Sequence, residues 1–291
     1  MGDMVGALLL AALVATQAPS PEPLSVRIEA KGAVLAGDIF LPPQAARGRV
    51  PGVVMVHGSG RAERAMYRRG ADRLAALGMA VLLYDKRGIG QSTGRYREVT
   101  AENGQESLGE LADDARRALA MLASQRQVDP ARVGFYGASQ AGWILPLAAD
   151  RQPGVRFLVV ISGPATSVGY EIRHGHLNGE GSTPISPEEL QKQLAAFTGP
   201  HGYDPAETLR RLRTPTLWIM GDRDQGLPLQ ETLQALNSLP ATASGLLTLV
   251  RFPEADHGMY RADGSRVDYW ETIEDWLRKC GILHRGSAET R

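Results

Sequence analysis

The sequence predicts an α/β protein built on a mostly parallel sheet with helices on both faces. Three observations carry that expectation. Strand-like and helix-like segments alternate along the chain, the later strand-like segments are continuous apolar runs, and amphipathic stripes fit between them.

The first strand is of another kind. Leu24, Val26 and Ile28 alternate with Ser25, Arg27 and Glu29, so one face is buried and the other wet. Residues 33–41 follow closely enough to pair with it as an antiparallel hairpin at the sheet edge. Six apolar runs come next, over residues 53–56, 79–84, 133–136, 157–161, 216–220 and 246–250. Such runs suit parallel strands covered on both faces. With the hairpin they make an eight-stranded sheet.

The clearest helix has Ser107 and Glu110 as a capping box, followed by an apolar stripe of Leu108, Leu111, Ala115, Ala118, Leu119 and Leu122. The last helix is expected to bury Val267, Trp270, Ile273 and Leu277. Between the fourth and fifth apolar runs lie about fifty residues, far more than a connection needs. Ser186-Pro187-Glu188-Glu189 and Asp204-Pro205-Ala206-Glu207 each read as a helix start there. Leu190, Leu194 and Phe197 supply a short apolar face. These features predict a small helical cap at about 165–212, inserted in a domain spanning 24–283, with 284–291 as a tail.

The bulk numbers narrow the partners. At 291 residues and 43% apolar composition, the chain can bury a sizeable core. Lys+Arg and Asp+Glu balance at 32 each. That balance gives no electrostatic footprint for nucleic acid or an anionic membrane surface, so neither is an expected partner. The single cysteine, Cys280, excludes an internal disulfide and a cysteine-based metal site. At the N-terminus, Val5 to Val14 form an uncharged apolar run, too short to span a bilayer but suited to a secretory signal within residues 1–18. Ala15-Thr16-Gln17-Ala18 could hold the cleavage site. Asp3, the lack of an early Lys or Arg, and Pro19 argue against it. The balance favours export, with Pro19, Pro21 and Pro23 as a stiff linker over 19–23.

The chemistry centres on Ser139, in Gly137-Ala138-Ser139-Gln140-Ala141-Gly142. A serine on a sharp strand-to-helix turn between small residues exposes its Oγ and leaves helix-start N–H groups free for an anion. A serine hydroxyl needs a base, a group to orient that base, and donors for an oxyanion. His257, after the last apolar run, is the candidate base. Asp224 and Asp222, in Gly221-Asp222-Arg223-Asp224, are candidates for the acid, and Asp224 is favoured because a carboxylate further into the loop can reach across. Asp256 is a weaker rival, because a neighbour of the base points away from it. The oxyanion donors expected are the N–H groups of Gln140 and Ser59, with Gly60 in reserve. His57 is expected to shape its loop rather than act as a second base.

These motifs carry a resemblance. His57-Gly58-Ser59-Gly60, the stretch Tyr84-Asp85-Lys86-Arg87-Gly88-Ile89-Gly90-Gln91-Ser92, the Ser139 turn through Trp143, Gly221-Asp222-Arg223-Asp224 and Asp256-His257-Gly258 occur in order at strand ends. The chain resembles the α/β-hydrolases, in the broad dienelactone-hydrolase and serine-aminopeptidase-like group, over roughly residues 24 to 280. The resemblance implies Ser139 as nucleophile, Asp224 as acid and His257 as base. One position departs: Ala141 stands where the family's elbow usually has glycine.

The expected function is a carboxylesterase-like serine hydrolase acting on a small-molecule ester through an acyl-enzyme, with no cofactor and no metal. A peptidase or acyl-thioester hydrolase on the same residues is the alternative, although no acidic cluster in the cap offers a site for a free amine. A non-catalytic binding protein on this scaffold is the third reading. Arg87 is expected to pair with Asp85, and His174 and His176 to be solvated rather than metal ligands. Arg61, Glu63 and Arg64 read as a solvated charged face, and Trp143 and Tyr170 as pocket walls or packing residues.

Overall fold

A computed structural model describes residues 22–284, apart from residues 151, 179–182 and 184. The proposed signal segment, most of the proline-rich linker and the tail beyond His284 lie outside the described residues. The strands are β1 (Leu24–Ala30), β2 (Ala33–Phe40), β3 (Val50–Val56), β4 (Ala80–Tyr84), β5 (Val128–Ala138), β6 (Leu158–Ile161), β7 (Thr216–Gly221) and β8 (Leu247–Phe252). They form one sheet in the order β1-β2-β4-β3-β5-β6-β7-β8. β1 and β2 pair as an antiparallel hairpin, with Ala30 opposite Ala33, and β2 is antiparallel to β4. Every other pairing is parallel. The carboxyl ends of the six parallel strands therefore share one edge.

The helices are α1 (Arg68–Ala76), α2 (Gly104–Ala123), α3 (Ala141–Asp150), α4 (Val168–Asn178), α5 (Pro187–Ala195), α6 (Ala206–Arg211), α7 (Leu229–Asn237), α8 (Ala241–Ser244) and α9 (Trp270–Lys279). Alternation along the strands splits the core in two. Val54, Leu82, Phe135, Val160 and Trp218 pack beneath α2, α3 and α7. Val53, Val81, Val159, Leu217 and Ile219 pack beneath α1 and α9. A strand buried on both faces has no polar side to show, which explains the unbroken apolar runs. Each fully buried aliphatic side chain here contributes about 1.5–3 kcal/mol.

Several local expectations need correction. The capping box at Ser107 and Glu110 does not form. α2 begins a turn earlier, after Asn103, whose Oδ1 accepts from the Thr100 N–H at 2.9 Å while Thr100 Oγ1 accepts from the Asn103 N–H at 3.3 Å. Ser107 is buried inside the helix, and Glu110 faces Arg97 at 2.8 Å. β5 starts at Val128, ahead of the expected run at 133–136, and its register with β3 shifts between Val50 and Gly52. In the final segment Val267 is buried ahead of α9, and Trp276 lies on its buried face.

Between β6 and β7 run α4, α5 and α6. Ser186 Oγ caps α5 by accepting from the Glu189 N–H at 3.2 Å, and Asp204 Oδ1 accepts from the Ala206 N–H at 2.9 Å at the head of α6. α4, which no sequence signal announced, packs against α5. Among the described residues, no helix is long and apolar enough to cross a membrane.

Candidate active site

Ser139 sits between β5 and α3 with φ at +55°, in the left-handed region that L-residues rarely adopt. The sharp turn follows from close packing on both sides. A Cβ on Gly142 would lie 2.7 Å from the Gly163 Cα, so α3 meets the β6 loop backbone to backbone. A Cβ on Gly58 would lie 3.2 Å from the Ser139 Cβ, so the β3 loop passes tight against the serine and a side chain there would have to push it by a few tenths of an ångström. Ala141 is fully buried in the position where glycine was expected, and the glycine that the close approach needs stands one place later. Ser162 and Met259 also have positive φ, at 46° and 62°. Such conformations store of order 1–3 kcal/mol of strain each and gather at functional sites.

The structure brings three of the sequence-predicted residues together. The His257 ring lies with Nε2 3.2 Å from Ser139 Oγ and Nδ1 3.0 and 2.9 Å from the two Asp224 oxygens. The carboxylate sets the tautomer: Nδ1–H donates to Asp224, leaving Nε2 to accept from the serine hydroxyl. The Asp224 side chain is fully buried, and Oδ1 also accepts from the Gly226 N–H at 2.8 Å. Burial pulls the imidazole pKa down, but the hydrogen bond and charge of Asp224, helped by Glu171 and Asp256, outweigh it and leave the pKa raised above 6.5. Asp222 points elsewhere, in an ion pair with Arg251 at 2.7 Å. Asp256 accepts from the Tyr260 N–H at 2.8 Å and holds its own turn.

Around the serine, the N–H groups of Ser59 and Gln140 have no protein acceptor among the described residues. The Gly60 N–H is already engaged by the Tyr96 hydroxyl at 2.9 Å, which removes the reserve candidate. His57 is buried and stacked on Tyr67 at 5.1 Å. Burial, and then the charge of Lys86, lower its pKa to about 3, so it stays neutral and shapes its loop.

A cavity of about 80 Å³ opens on these groups and is lined by Ser59, Ser139, Gln140 and His257. Val99, Trp143, Val168 and Leu227 give it apolar walls, and Glu98 and Glu171 bring two carboxylates. Both glutamates escaped sequence reasoning, which found no acidic cluster over the site. Glu171 comes from α4, a helix without a clear apolar stripe. Burial raises its pKa to about 7, against the opposing pull of His257. Trp143 is a wall held by its indole N–H, which donates to the Thr166 carbonyl at 2.8 Å. Tyr170 does not line the cavity; its hydroxyl donates to Glu231 at 3.3 Å.

Other charged residues behave differently from expectation. Arg87 pairs with Asp114 through two bonds of 2.8 Å, and with Glu110 at 3.2 Å. Asp85 instead binds Arg64, which also pairs with Asp38 at 2.7 Å. Arg64 is therefore engaged rather than solvated. His174 is buried, with its pKa lowered by that burial. The third residue of the Asp85-Lys86-Arg87 stretch to place, Lys86, is fully buried and donates from Nζ to Gly58 O and to Gln140 Oε1, each at 2.7 Å.

The sheet order and the serine turn define an α/β-hydrolase. The pattern of the prolyl oligopeptidase family matches residues 66–281, and the chain belongs to that family. It is 30% identical over 223 residues to an uncharacterised protein of Mycobacterium tuberculosis, covering 76% of this chain and 69% of that protein. A putative carboxymethylenebutenolidase of Methylorubrum extorquens is 25% identical over 221 residues, covering 72% of this chain and 66% of that protein. An esterase of Pyrococcus furiosus shares the fold at a TM-score of 0.64 and 18% identity, over 92% of this chain and 96% of that one. The protein is a hydrolase of the α/β-hydrolase type.

Proposed function

We propose that the protein cleaves carboxylic esters of small acyl groups through an acyl-enzyme intermediate. Ser139 Oγ attacks the carbonyl carbon while His257 Nε2 takes its proton. His257 then passes that proton to the leaving alcohol, and Asp224 stabilises the imidazolium formed in between. The N–H groups of Ser59 and Gln140 take the oxyanion. Water attacks the acyl-enzyme with His257 again as base, and the carboxylic acid leaves with Ser139 restored. The observation that carries this reading is the continuous chain from Ser139 Oγ through His257 to a buried Asp224. The cavity supports a short acyl group: about 80 Å³ is small beside the roughly 300–1,000 Å³ of common ligand sites.

The test is Ser139→Ala with a short p-nitrophenyl ester. Turnover should fall by at least about 10³-fold while the fold survives; retained turnover rejects the assignment. Labelling of the wild type by a fluorophosphonate, which requires an activated serine, separates the enzyme from a non-catalytic relative.

Glu98 and Glu171 favour a second reading, in which the substrate carries an amino group near the scissile bond, as an aminoacyl ester or amide would. Assaying an acetyl ester, an aminoacyl ester and an aminoacyl amide side by side distinguishes the two. Export rests on residues 5–18 alone, and N-terminal sequencing of the secreted fraction tests it.

A further inference from the structure

We infer that Lys86 is a positioning residue that ties the two oxyanion donors into one unit. The inference rests on the proposed roles of Ser139, Ser59 and Gln140. Lys86 lies between β4 and α2, in none of the loops that hold those residues, and it is fully buried. Its ammonium donates to Gly58 O at 2.7 Å and to Gln140 Oε1 at 2.7 Å. The Gly58 carbonyl and the Ser59 N–H are the two ends of one planar trans peptide. Holding the oxygen therefore fixes the direction of the N–H. A cation on that oxygen also draws electron density from the amide and strengthens the N–H as a donor. The second bond holds the side chain of Gln140, whose own N–H is the other donor.

A merely structural lysine is a poor account of this geometry. Both of its bonds go to neutral oxygens, and an ammonium sealed from water is costly without an ionic partner. Burial lowers its pKa to about 7, with Glu98 acting in the opposite sense. An oxyanion forming on the substrate would raise it again. The lysine's charge is thus favoured most when the tetrahedral state is present, which is the condition for differential stabilisation.

Lys86→Met fills the space without the charge or the donors. Gln140→Leu removes only one acceptor and keeps the main-chain N–H. Both are compared with wild type in ester hydrolysis and in binding of a short alkyl boronic acid, which forms a tetrahedral adduct on an active serine. Lys86→Met should lower kcat roughly ten- to a hundredfold, with boronate affinity falling in parallel and KM within about threefold. Gln140→Leu should lose less, but more than about threefold in kcat. A folded Lys86→Met with kcat and boronate affinity unchanged, or with its loss confined to KM, overturns the inference. If Lys86→Met does not fold, Gln140→Leu decides: kcat within threefold of wild type overturns it. Retained activity in Ser139→Ala would instead sink the serine mechanism itself, so the two failures are distinguishable.

Discussion

His257 is tied to its surroundings by charge as much as by geometry. Asp224, Glu171 and Asp256 all favour its protonated form. A protonated imidazole cannot accept from Ser139, so the proposed mechanism requires hydrolysis to rise with pH as the proton leaves. The acid limb of kcat/KM is expected to have its midpoint above 6.5, the ordinary histidine value. Glu171→Gln removes one of the charges that hold the proton on. It should shift that limb to lower pH, measured as a pH–rate profile on the same ester; a limb that stays in place assigns Glu171 no electrostatic role. At this scale the sequence was informative wherever chemistry demands a residue at a strand end. Ser139, Asp224 and His257 each stand after an apolar run, and the loop argument for Asp224 over Asp222 agrees with the distances. Glu98 and Glu171 carry no such signature, and their place at the cavity comes from where the chain folds them. Lys86 does follow an apolar run, over 79–84, but nothing local states that its ammonium turns inward to Gly58 O and Gln140 Oε1.

Among the elements, α3 shows how little space the serine turn leaves. A methyl group on Gly142 would meet Gly163 and Pro164 backbone atoms at 2.7–2.9 Å, and backbone cannot swing aside as a side chain can. Gly142→Ala should therefore push α3 away from the β6 loop and displace the serine that heads the helix. The expected result is a loss of about 1–3 kcal/mol in stability, read by urea unfolding, with a larger fractional loss of activity. The Arg87–Asp114 pair is the second element-scale test. It joins the β4 loop to α2, with the Asp114 side chain 1% exposed. Asp114→Ala would leave the guanidinium facing α2 with only Glu110, at a cost of about 3–5 kcal/mol in the same assay. Helix α4 marks the limit of periodicity as a guide. Two glycines and two histidines interrupt its apolar positions, and it is anchored from outside: the Gly169 N–H donates to His201 O at 2.8 Å, and the Val168 N–H to Tyr203 O at 2.9 Å. Non-local contacts of this kind leave no trace in a local window.

For the whole molecule, alternation and apolar runs were enough to reach an eight-stranded, mostly parallel sheet, because burial on both faces writes itself directly into composition. The strand order was not legible. β4 lies between β2 and β3, and nothing along the chain states that crossover. The hairpin's position bears on the polypeptide upstream of it. β1 is antiparallel to β2, which is antiparallel to β4, so β1 runs with the parallel strands. Leu24 thus starts at the rim opposite Ser139, on an outermost strand. A protein trimmed to residues 22–291 should hydrolyse the ester at the wild-type rate, and a tenfold loss would contradict this geometry. A purification tag or surface tether joined at Leu24 would be attached on the underside of the molecule, at the rim away from the cavity beside Ser139.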